Sequence, residues 1–368
     1  MKKLLTYLII SGFYTFTFIL PAQESYKIPE QVTQEFNQIT VGVFPQVELI
    51  SIVQTISTYQ SVFSFLMAMD SSNYKSDVIK HFESYKNHPV VLMFNRLSLQ
   101  PRMLNFSAPS NILLYTDRFL ELRSDVELDD FVINRAGGMD SLRLFLSLLR
   151  DFAVQSSFNS FFQAHHDFYR AITVNTINNI GSIDYISEME SFYGKTQKSY
   201  NIILVTLYNT VGFGNSLLCS DDKREIYNTM GPRSFNNTIP SYGTEDYLKY
   251  MIRHEFSHPF INPLTEKYWD YVKDYSNNYD SLPEVARVNN CGEWQECINE
   301  FLIGAITTQL AYSEGYDIGL QAYKLEKSID IIYLDKLMNR IKLYLSERDV
   351  FPTIESFYPN LLDVFIKK

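Results

Sequence analysis

The chain has 368 residues, of which 46% are hydrophobic and 15% aromatic, and it carries a formal net charge of -10. This length and apolar content are enough to bury a large core, in one domain or in two closely packed subdomains, and they exclude an intrinsically disordered chain. An acidic chain with no Lys/Arg cluster beyond residue 3 lacks the basic surface that binds phosphates, which argues against a nucleic-acid partner.

The first 22 residues have the layout of a secretory signal peptide. Two lysines precede an uncharged apolar run, Leu4–Leu20, and the small residue Ala22 precedes a polar stretch. This layout predicts cleavage after Ala22 and a mature chain that begins near Gln23 and is secreted or periplasmic, with no stable membrane insertion. The alternative is an uncleaved membrane anchor, because the apolar run approaches the length that spans a bilayer.

Residues 23–190 are predicted to form a mainly helical N-terminal region. ITVGVF near its start is typical of a short strand, and a helix is expected to begin near Pro45. Residues 74–97 and 140–192 favour helices, because their apolar positions recur every three or four residues.

The spacing of apolar residues changes in residues 191–368, the predicted catalytic region. We expect this region to form one compact unit with the N-terminal region. SYNIILVTLY, residues 199–208, predicts a strand, GFGNS a turn, REIYNTM a possible second strand and KDYSNNYDSLPE a polar loop. The predicted fold class is therefore α+β, mostly helical, with a small sheet preceding a helix that carries the motif described next.

The segment MIRHEFSHPFINP, residues 251–263, contains the pattern H-E-x-x-H in His254, Glu255 and His258. Thr244 and the two acids after it supply an N-cap and a favourable first turn, so the motif should lie on a helix. Two imidazoles four residues apart on one helical stripe, about 6 Å along the axis, can converge on a zinc ion. Glu255 is rotated away from His254, so it should reach a water near the metal and act as general base.

Each part of the motif also has an ordinary structural interpretation. The two histidines could be half-buried residues without a ligand, and Glu255 could pair with Arg253 at the surface. Pro259 removes a helix N–H and disfavours helical backbone at His258, so the helix is expected to kink or stop there.

The third zinc ligand should be an acid, because no histidine follows His258. Residues 291–312, CGEWQECINEFLIGAITTQLAY, predict a helix whose last charge is Glu300, at the point where it enters the core. Glu293 and Glu296 lie at helical spacing from Glu300 and remain alternatives for the third ligand. All three could also form a solvated acidic face of the helix. Glu300 is favoured, because a charge in an apolar run is costly without a cation.

The three cysteines are an odd number, which excludes a fully paired set of disulfides. Cys291 and Cys297 could pair only if Cys291 precedes the helix that carries Cys297, since residues six apart on one helix point in different directions. We expect Cys219, Cys291 and Cys297 to be buried free thiols.

Four segments carry a resemblance to a known family: HEFSHPFINP, the later W-x-x-C-I-N-E-F-L, the upstream LRDFAVQSSFNSFF and the tail ERDVFPTIESFYPNLLDV. They resemble a family of secreted bacterial proteins that carries a domain of unknown function. Its members are regarded as zinc peptidases of the gluzincin type. The resemblance covers most of the mature chain. It implies a gluzincin-like core, with His254, His258 and Glu300 as zinc ligands and Glu255 as general base.

Two positions depart from the pattern of that family. Pro259 stands where the family usually has a small residue, and Gly304 stands where an arginine is expected. Both differences concern the shape and charge of the cleft more than the metal ligands, so the resemblance supports metal binding better than any particular substrate.

The predicted function is a secreted zinc-dependent hydrolase, in the first place a metallopeptidase acting on a peptide or protein substrate. One Zn2+ per chain would activate water and polarise the scissile carbonyl, while Glu255 would take the proton of the water and pass it to the leaving amine. In thermolysin-like enzymes an edge strand near the metal helix holds extended substrate, and residues 199–208 are the candidate for that strand.

Two alternatives belong to other classes of protein. One is a catalytically inactive, zinc-containing binding protein of the cell envelope, and Pro259 and Gly304 are the features that point to it. The other is a helical envelope protein in which the motif is a coincidence, and it predicts no stoichiometric metal. A hydrolase of esters or of cell-wall amides would share the metal site and differ in its cleft.

Overall fold

The computed structural model describes residues 26–68, 72–235, 239–284, 286–287, 291–329 and 331–366. The predicted signal peptide, residues 1–22, lies outside them. Among the described residues, every helix is too short or too polar to cross a membrane. The fold is α+β and mostly helical, around one small mixed sheet.

The sheet has five strands in the spatial order β1-β2-β3-β5-β4, and it draws on both halves of the chain. β1 pairs with β2 and β4 with β5 in antiparallel fashion, whereas the β2–β3 and β3–β5 pairs are parallel. The strands are β1 (Val32–Phe36), β2 (Ile39–Val43), β3 (Ser199–Leu204), β4 (Gly212–Leu218) and β5 (Arg224–Met230).

The strand predictions are confirmed for β2, β3 and β5, and two related predictions are wrong. β3 is the central strand and not an edge, because its apolar run is covered by helices and paired on both sides, as parallel strands usually are. The segment GFGNS is not a turn but most of β4, the strand at the edge of the sheet. Its glycines were misleading because they serve a close packing contact, described below.

Helices surround the sheet and account for most of the remaining chain. Short 3-10 helices cover Glu83–Tyr85 and Lys273–Ser281, so the predicted polar loop KDYSNNYDSLPE is mostly helical. The α-helices are α1 (Pro45–Thr55), α2 (Tyr59–Val62), α3 (Asn73–Phe82), α4 (Pro89–Ser98), α5 (Ala108–Leu114), α6 (Asp130–Arg135), α7 (Met139–Gln155), α8 (Phe158–Ala164), α9 (His166–Asn178), α10 (Tyr185–Tyr193), α11 (Glu245–Lys267), α12 (Trp269–Val272), α13 (Trp294–Glu314), α14 (Tyr316–Ser328), α15 (Leu334–Ser346) and α16 (Ile354–Ile366).

One continuous hydrophobic core joins the two predicted regions. Val41 of β2, Ile202 of β3, Phe256 of α11 and Ile303 of α13 are all fully buried in it. α11 lies against β4 and β5 of the sheet and against α13. The sheet and α13 therefore fix α11, the helix that carries the H-E-x-x-H motif, from two sides.

The cysteine prediction is wrong for two of the three residues. Cys291 and Cys297 form a disulfide with a Cα–Cα distance of 5.0 Å, and only Cys219 is a buried free thiol. The geometric condition for pairing holds, since Cys291 precedes α13, which begins at Trp294. The disulfide closes the turn that leads into α13.

Candidate metal centre

The motif lies near the middle of α11, and its start is capped as the sequence predicts. The hydroxyl of Thr244 accepts a hydrogen bond from the backbone N–H of Tyr247 at 3.4 Å, and Glu245 and Asp246 occupy the first turn. The carboxylates oppose the positive end of the helix dipole, and the cap satisfies an otherwise free donor. These local signals fix where the helix begins.

α11 does not stop at Pro259, as predicted, but continues through Pro259 and Pro263 to Lys267. Each proline leaves one carbonyl, that of Glu255 and that of Pro259, without its usual helical donor. The Glu255 carbonyl oxygen faces Gly214 of β4. Packing of α11 between the sheet and α13 stabilises this stretch, so tertiary contacts override the local preference of proline.

Arg253 anchors the motif helix to α10 and α13. Its guanidinium is 2% exposed and donates two hydrogen bonds of 2.8 Å to the carboxylate of Glu188, with a third of 3.2 Å to Glu314. A bidentate pair of this kind fixes both distance and orientation. Arg253 is therefore not a partner of Glu255, which leaves the Glu255 carboxylate available.

The structure brings His254, His258 and Glu300 together. Nε2 of His254 lies 3.3 Å from one carboxylate oxygen of Glu300, and Nε2 of His258 lies 3.6 Å from the other. One ligand atom from each of the three residues lies within 4.8 Å of the other two. α11 supplies the histidines at a spacing of one turn, and α13 supplies the acid from the neighbouring helix.

These separations suit a small divalent cation. Tetrahedral zinc, with bonds of about 2.0 to 2.2 Å, holds its ligand atoms roughly 3.3 to 3.6 Å apart, and the two measured N–O distances fall in that range. Two imidazoles and one carboxylate form a donor set of catalytic zinc sites, in which a fourth position stays open. The residues present therefore fit a zinc ion.

Glu255 lies beside this cluster and is enclosed by two glycines of β4. Its carboxylate is 7% exposed, and Oε2 lies 3.9 Å from Nε2 of His258. A Cβ atom on Gly212 would lie 2.5 Å from Oε1 of Glu255, and one on Gly214 would lie 2.4 Å from the Glu255 carbonyl oxygen. Because glycine has no side chain at either position, β4 can approach α11 closely enough to hold this carboxylate in place.

The two histidines differ in the partners of their second ring nitrogen. Nδ1 of His258 lies 3.3 Å from the side-chain oxygen of Asn262, which would fix the tautomer that presents Nε2 to a metal. Nδ1 of His254 is buried and has no hydrogen-bond partner among the described residues. The ring of Tyr250 stacks on His254, and the Tyr250 hydroxyl donates to the buried Glu326 at 2.9 Å.

Electrostatics within the cluster are dominated by the acids. Burial acts to lower the pKa of His254, but the hydrogen bond with Glu300 and the charges of Glu300, Glu255 and Glu326 outweigh it and raise that pKa to about 9. Burial acts to raise the pKa of Glu300, and the positive charges of His258 and His254 outweigh it and hold that pKa below its usual value. The cluster thus favours a positive charge between these three side chains, and a metal ion there would compete with protons.

The centre opens onto a cavity of about 360 Å³. β4 forms one wall and the motif helix the floor, and the described lining residues are Ser107, Gly212, Phe213, Gly214, His254, Glu255, His258, Asn262 and Glu300. Because β4 is an edge strand, an extended chain could lie along it with one peptide bond near the three ligand atoms.

Comparison with known proteins identifies a family. The sequence profile of DUF4932, described as a domain of unknown function, matches residues 39–364. The chain belongs to this family. The DUF4932 match includes the whole sheet from β2 onward and every residue of the candidate centre. Searches of curated proteins and of solved structures each found no match.

Within the DUF4932 region the structure separates the acids that the sequence left as alternatives. Glu293 pairs with Arg102 at 3.1 Å, and Glu296 accepts a hydrogen bond from the backbone N–H of Gly292 at 2.7 Å. Both therefore have other partners, and Glu300 is the residue of α13 that reaches the histidines. Glu300 thus lies beside the two histidines, and its role as a zinc ligand stays a prediction.

Several residues of the centre were not identified from the sequence. Asn262 follows His258 by four residues, so helical spacing contains the signal for it. Glu326 lies on another helix, α14, and no local pattern connects it with His254. At Gly304, where the resemblance leads us to expect an arginine, a Cβ would lie 2.6 Å from Cδ1 of Ile331 and 2.8 Å from Oε2 of Glu326, so there is little room for a side chain.

Proposed function

We propose that this protein is a zinc-dependent hydrolase that cleaves peptide bonds, working in the periplasm or outside the cell. One observation carries the proposal: the ligand atoms of His254, His258 and Glu300 converge beside the enclosed carboxylate of Glu255, and these four residues line an open cavity. The predicted signal peptide supports the location. The Cys291–Cys297 disulfide supports it too, because disulfides persist mainly in oxidising compartments.

A zinc ion at this position would act as a Lewis acid toward a carbonyl oxygen and would make water more acidic. Glu255 accepts the proton of the attacking water and delivers it to the leaving amine. It can do so because it lies next to the three ligands without being a ligand itself. Asn262 holds His258 in the orientation that presents Nε2. Gly212 and Gly214 keep Glu255 from turning away.

β4 supports a peptide as the substrate. It is the edge strand of the sheet. Among the described residues, its outer side has a backbone hydrogen-bond partner near its end, where the N–H of Glu127 donates to the carbonyl of Leu218. An extended peptide can add to such an edge through its backbone, which requires no particular side chains. Gly214 brings that edge to within contact of His258.

The test combines metal content with turnover. The protein is purified without chelators, its zinc is measured by elemental analysis, and a mixed peptide library is digested and read by mass spectrometry. We expect about one zinc per chain and cleavage of internal or terminal peptide bonds. Glu255→Gln should retain zinc and lose at least about 100-fold in turnover, as expected for removal of a general base.

Asp246→Asn is the matched control, because it makes the same acid-to-amide change on the exposed first turn of α11. It should retain both zinc and turnover. Zinc without any peptide cleavage would favour the inactive, zinc-containing binding protein. A protein that binds no zinc, or a Glu255→Gln variant as active as the wild type, would contradict the proposed function.

A further inference from the structure

A second cavity, of about 260 Å³, adjoins the metal centre along β4. It shares Gly214, His258 and Asn262 with the cavity of the centre, so the two are neighbours. Its walls are more polar than apolar and include Ser216 and Arg224. A peptide lying along β4 would therefore pass from one cavity into the other.

Arg224 is placed close to the scissile position by the register of the sheet. It is the first residue of β5 and lies opposite Leu218 of β4, and its Nη1 donates a hydrogen bond of 3.1 Å to the hydroxyl of Ser216. Ser216 follows Gly214 by two residues, so both lie on the same face of the strand, about 7 Å apart. Counted along a peptide bound to β4, Arg224 thus lies about two residues from the peptide residue nearest His258.

Arg224 differs from two other shielded arginines in that no carboxylate of the described residues pairs with it. Arg123 and Arg253, which are also shielded from solvent, each pair with two carboxylates. Arg224 is half-buried and forms no ion pair within the described part of the chain, and one of its five N–H donors has a side-chain acceptor, Ser216. Two acids, Asp129 and Glu266, also line the second cavity, but neither pairs with Arg224, and Asp129 accepts the backbone N–H of Phe131 at 2.8 Å.

Among the described residues that line the two cavities, Arg224 is the one lysine or arginine. A guanidinium with free donors in a half-buried cavity favours an anion, and it binds a carboxylate through two parallel hydrogen bonds. Carboxylates are the anionic groups that an unmodified peptide carries, either at its C-terminus or on Asp and Glu.

We propose that Arg224 binds a carboxylate of the substrate and gives the enzyme a preference for peptides with a negative charge near the cleaved bond. This inference rests on the proposed peptidase function and names its substrate class. The C-terminal carboxylate and an acidic side chain are two sources of the same group, and the experiment below separates them.

The experiment compares related peptides with the zinc-loaded protein. One cleaved peptide is made with Asp or Glu, or with Asn or Gln, at each position around the cleaved bond, and with a free or an amidated C-terminus. Wild type should prefer one acidic form by about 10-fold or more in kcat/KM, the effect of one charge-assisted pair. Loss of the preference on amidation identifies the C-terminus, and loss on the Asp to Asn change identifies a side chain.

The variants test whether Arg224 is the cause. Arg224→Gln should reduce the acid-to-amide ratio to near one, Arg224→Lys should retain part of it, and Arg224→Glu should invert it in favour of a peptide with Lys at the same position. Lys223→Gln is the matched control, because it removes one positive charge from the exposed neighbouring residue and should leave the ratio unchanged. Thermal unfolding of each variant shows whether it is folded, and the ratio is independent of the amount of active protein.

Two results would overturn this inference and leave the proposed peptidase function standing. One is a wild type that cleaves acidic and neutral peptides equally, and the other is an Arg224→Gln variant that keeps the preference. A zinc-loaded wild type that cleaves no peptide would contradict the proposed function, and the inference with it.

Discussion

Glu48 of α1 and Glu300 of α13 are carboxyl groups on two helices of the same core. Glu48 is 1% exposed, and it accepts a hydrogen bond from the hydroxyl of Tyr74, which in turn bonds the hydroxyl of Tyr169 at 2.7 Å. Glu300 faces two imidazoles across a cavity. One carboxyl group is surrounded by neutral phenols and the other by groups that can carry or hold positive charge.

This difference changes the sign of the pKa shift. Burial raises the pKa of Glu48 from 4.5 to about 7, and the hydrogen bond from Tyr74 offsets only part of that effect. Burial also acts to raise the pKa of Glu300, but the charges of His258 and His254 lower it below its usual value. A buried carboxyl group therefore indicates a metal site only when its neighbours favour the ionised form.

The largest expected effect separates the two acids by metal content. Glu300→Gln should abolish stoichiometric zinc, because one of three ligands is replaced by a poor donor, whereas Glu48→Gln should retain about one zinc per chain. Elemental analysis after gel filtration measures both. Zinc retained in Glu300→Gln would assign the third ligand to another residue, and zinc lost in a folded Glu48→Gln variant would remove the distinction between the two sites.

The next effect concerns stability and pH. Between pH 4.5 and about 7 the unfolded chain releases the proton of Glu48 while the folded protein keeps it, so the free energy of unfolding should fall as the pH rises through this window. The loss is complete above about pH 7 and is on the order of 3 kcal/mol. Glu48→Gln cannot ionise and should escape this loss. Denaturant unfolding at pH 5 and pH 8 measures the difference, and parallel changes in both proteins would contradict it.

The smallest effect concerns Glu326, which shares features with both acids. It is 1% exposed and bonded by the phenol of Tyr250, like Glu48, yet it lies close enough to His254 to raise the pKa of that imidazole. Because the negative charge of Glu326 favours a positive charge at His254, Glu326→Gln should weaken zinc affinity about 10-fold. Gly304→Ala should have a similar effect, since its Cβ would press on both Ile331 and Glu326 and displace Glu326 without removing its charge.

Competition with a coloured chelator measures these affinities. Glu190→Gln is the matched control, because Glu190 is also bonded by a tyrosine, Tyr200 at 3.0 Å, but lies outside the centre. An unchanged affinity in Glu326→Gln would place Glu326 with Glu48 as a structural acid. A change of equal size in the Glu190 variant would point to a general loss of stability.

Local patterns predicted the parts of the fold that depend on neighbours in sequence. The helical stripe and the Thr244 cap identified α11, the many branched and aromatic residues identified β3, and Pro45 marked the start of α1. The same reasoning failed where a contact with a distant segment decided the outcome. GFGNS contains turn-prone residues, yet it forms β4 because Gly212 and Gly214 pack against Glu255.

The sequence by itself determined the motif helix, its two histidines one turn apart and an acid at the entry of an apolar helix, since each depends on spacing within one element. Only the tertiary structure decided that Glu300 and not Glu293 or Glu296 faces them, that α11 continues past Pro259, and that Cys291 and Cys297 are bonded. The physical reason is the same in each case: packing between elements far apart in sequence selects among conformations that local preferences leave close in free energy.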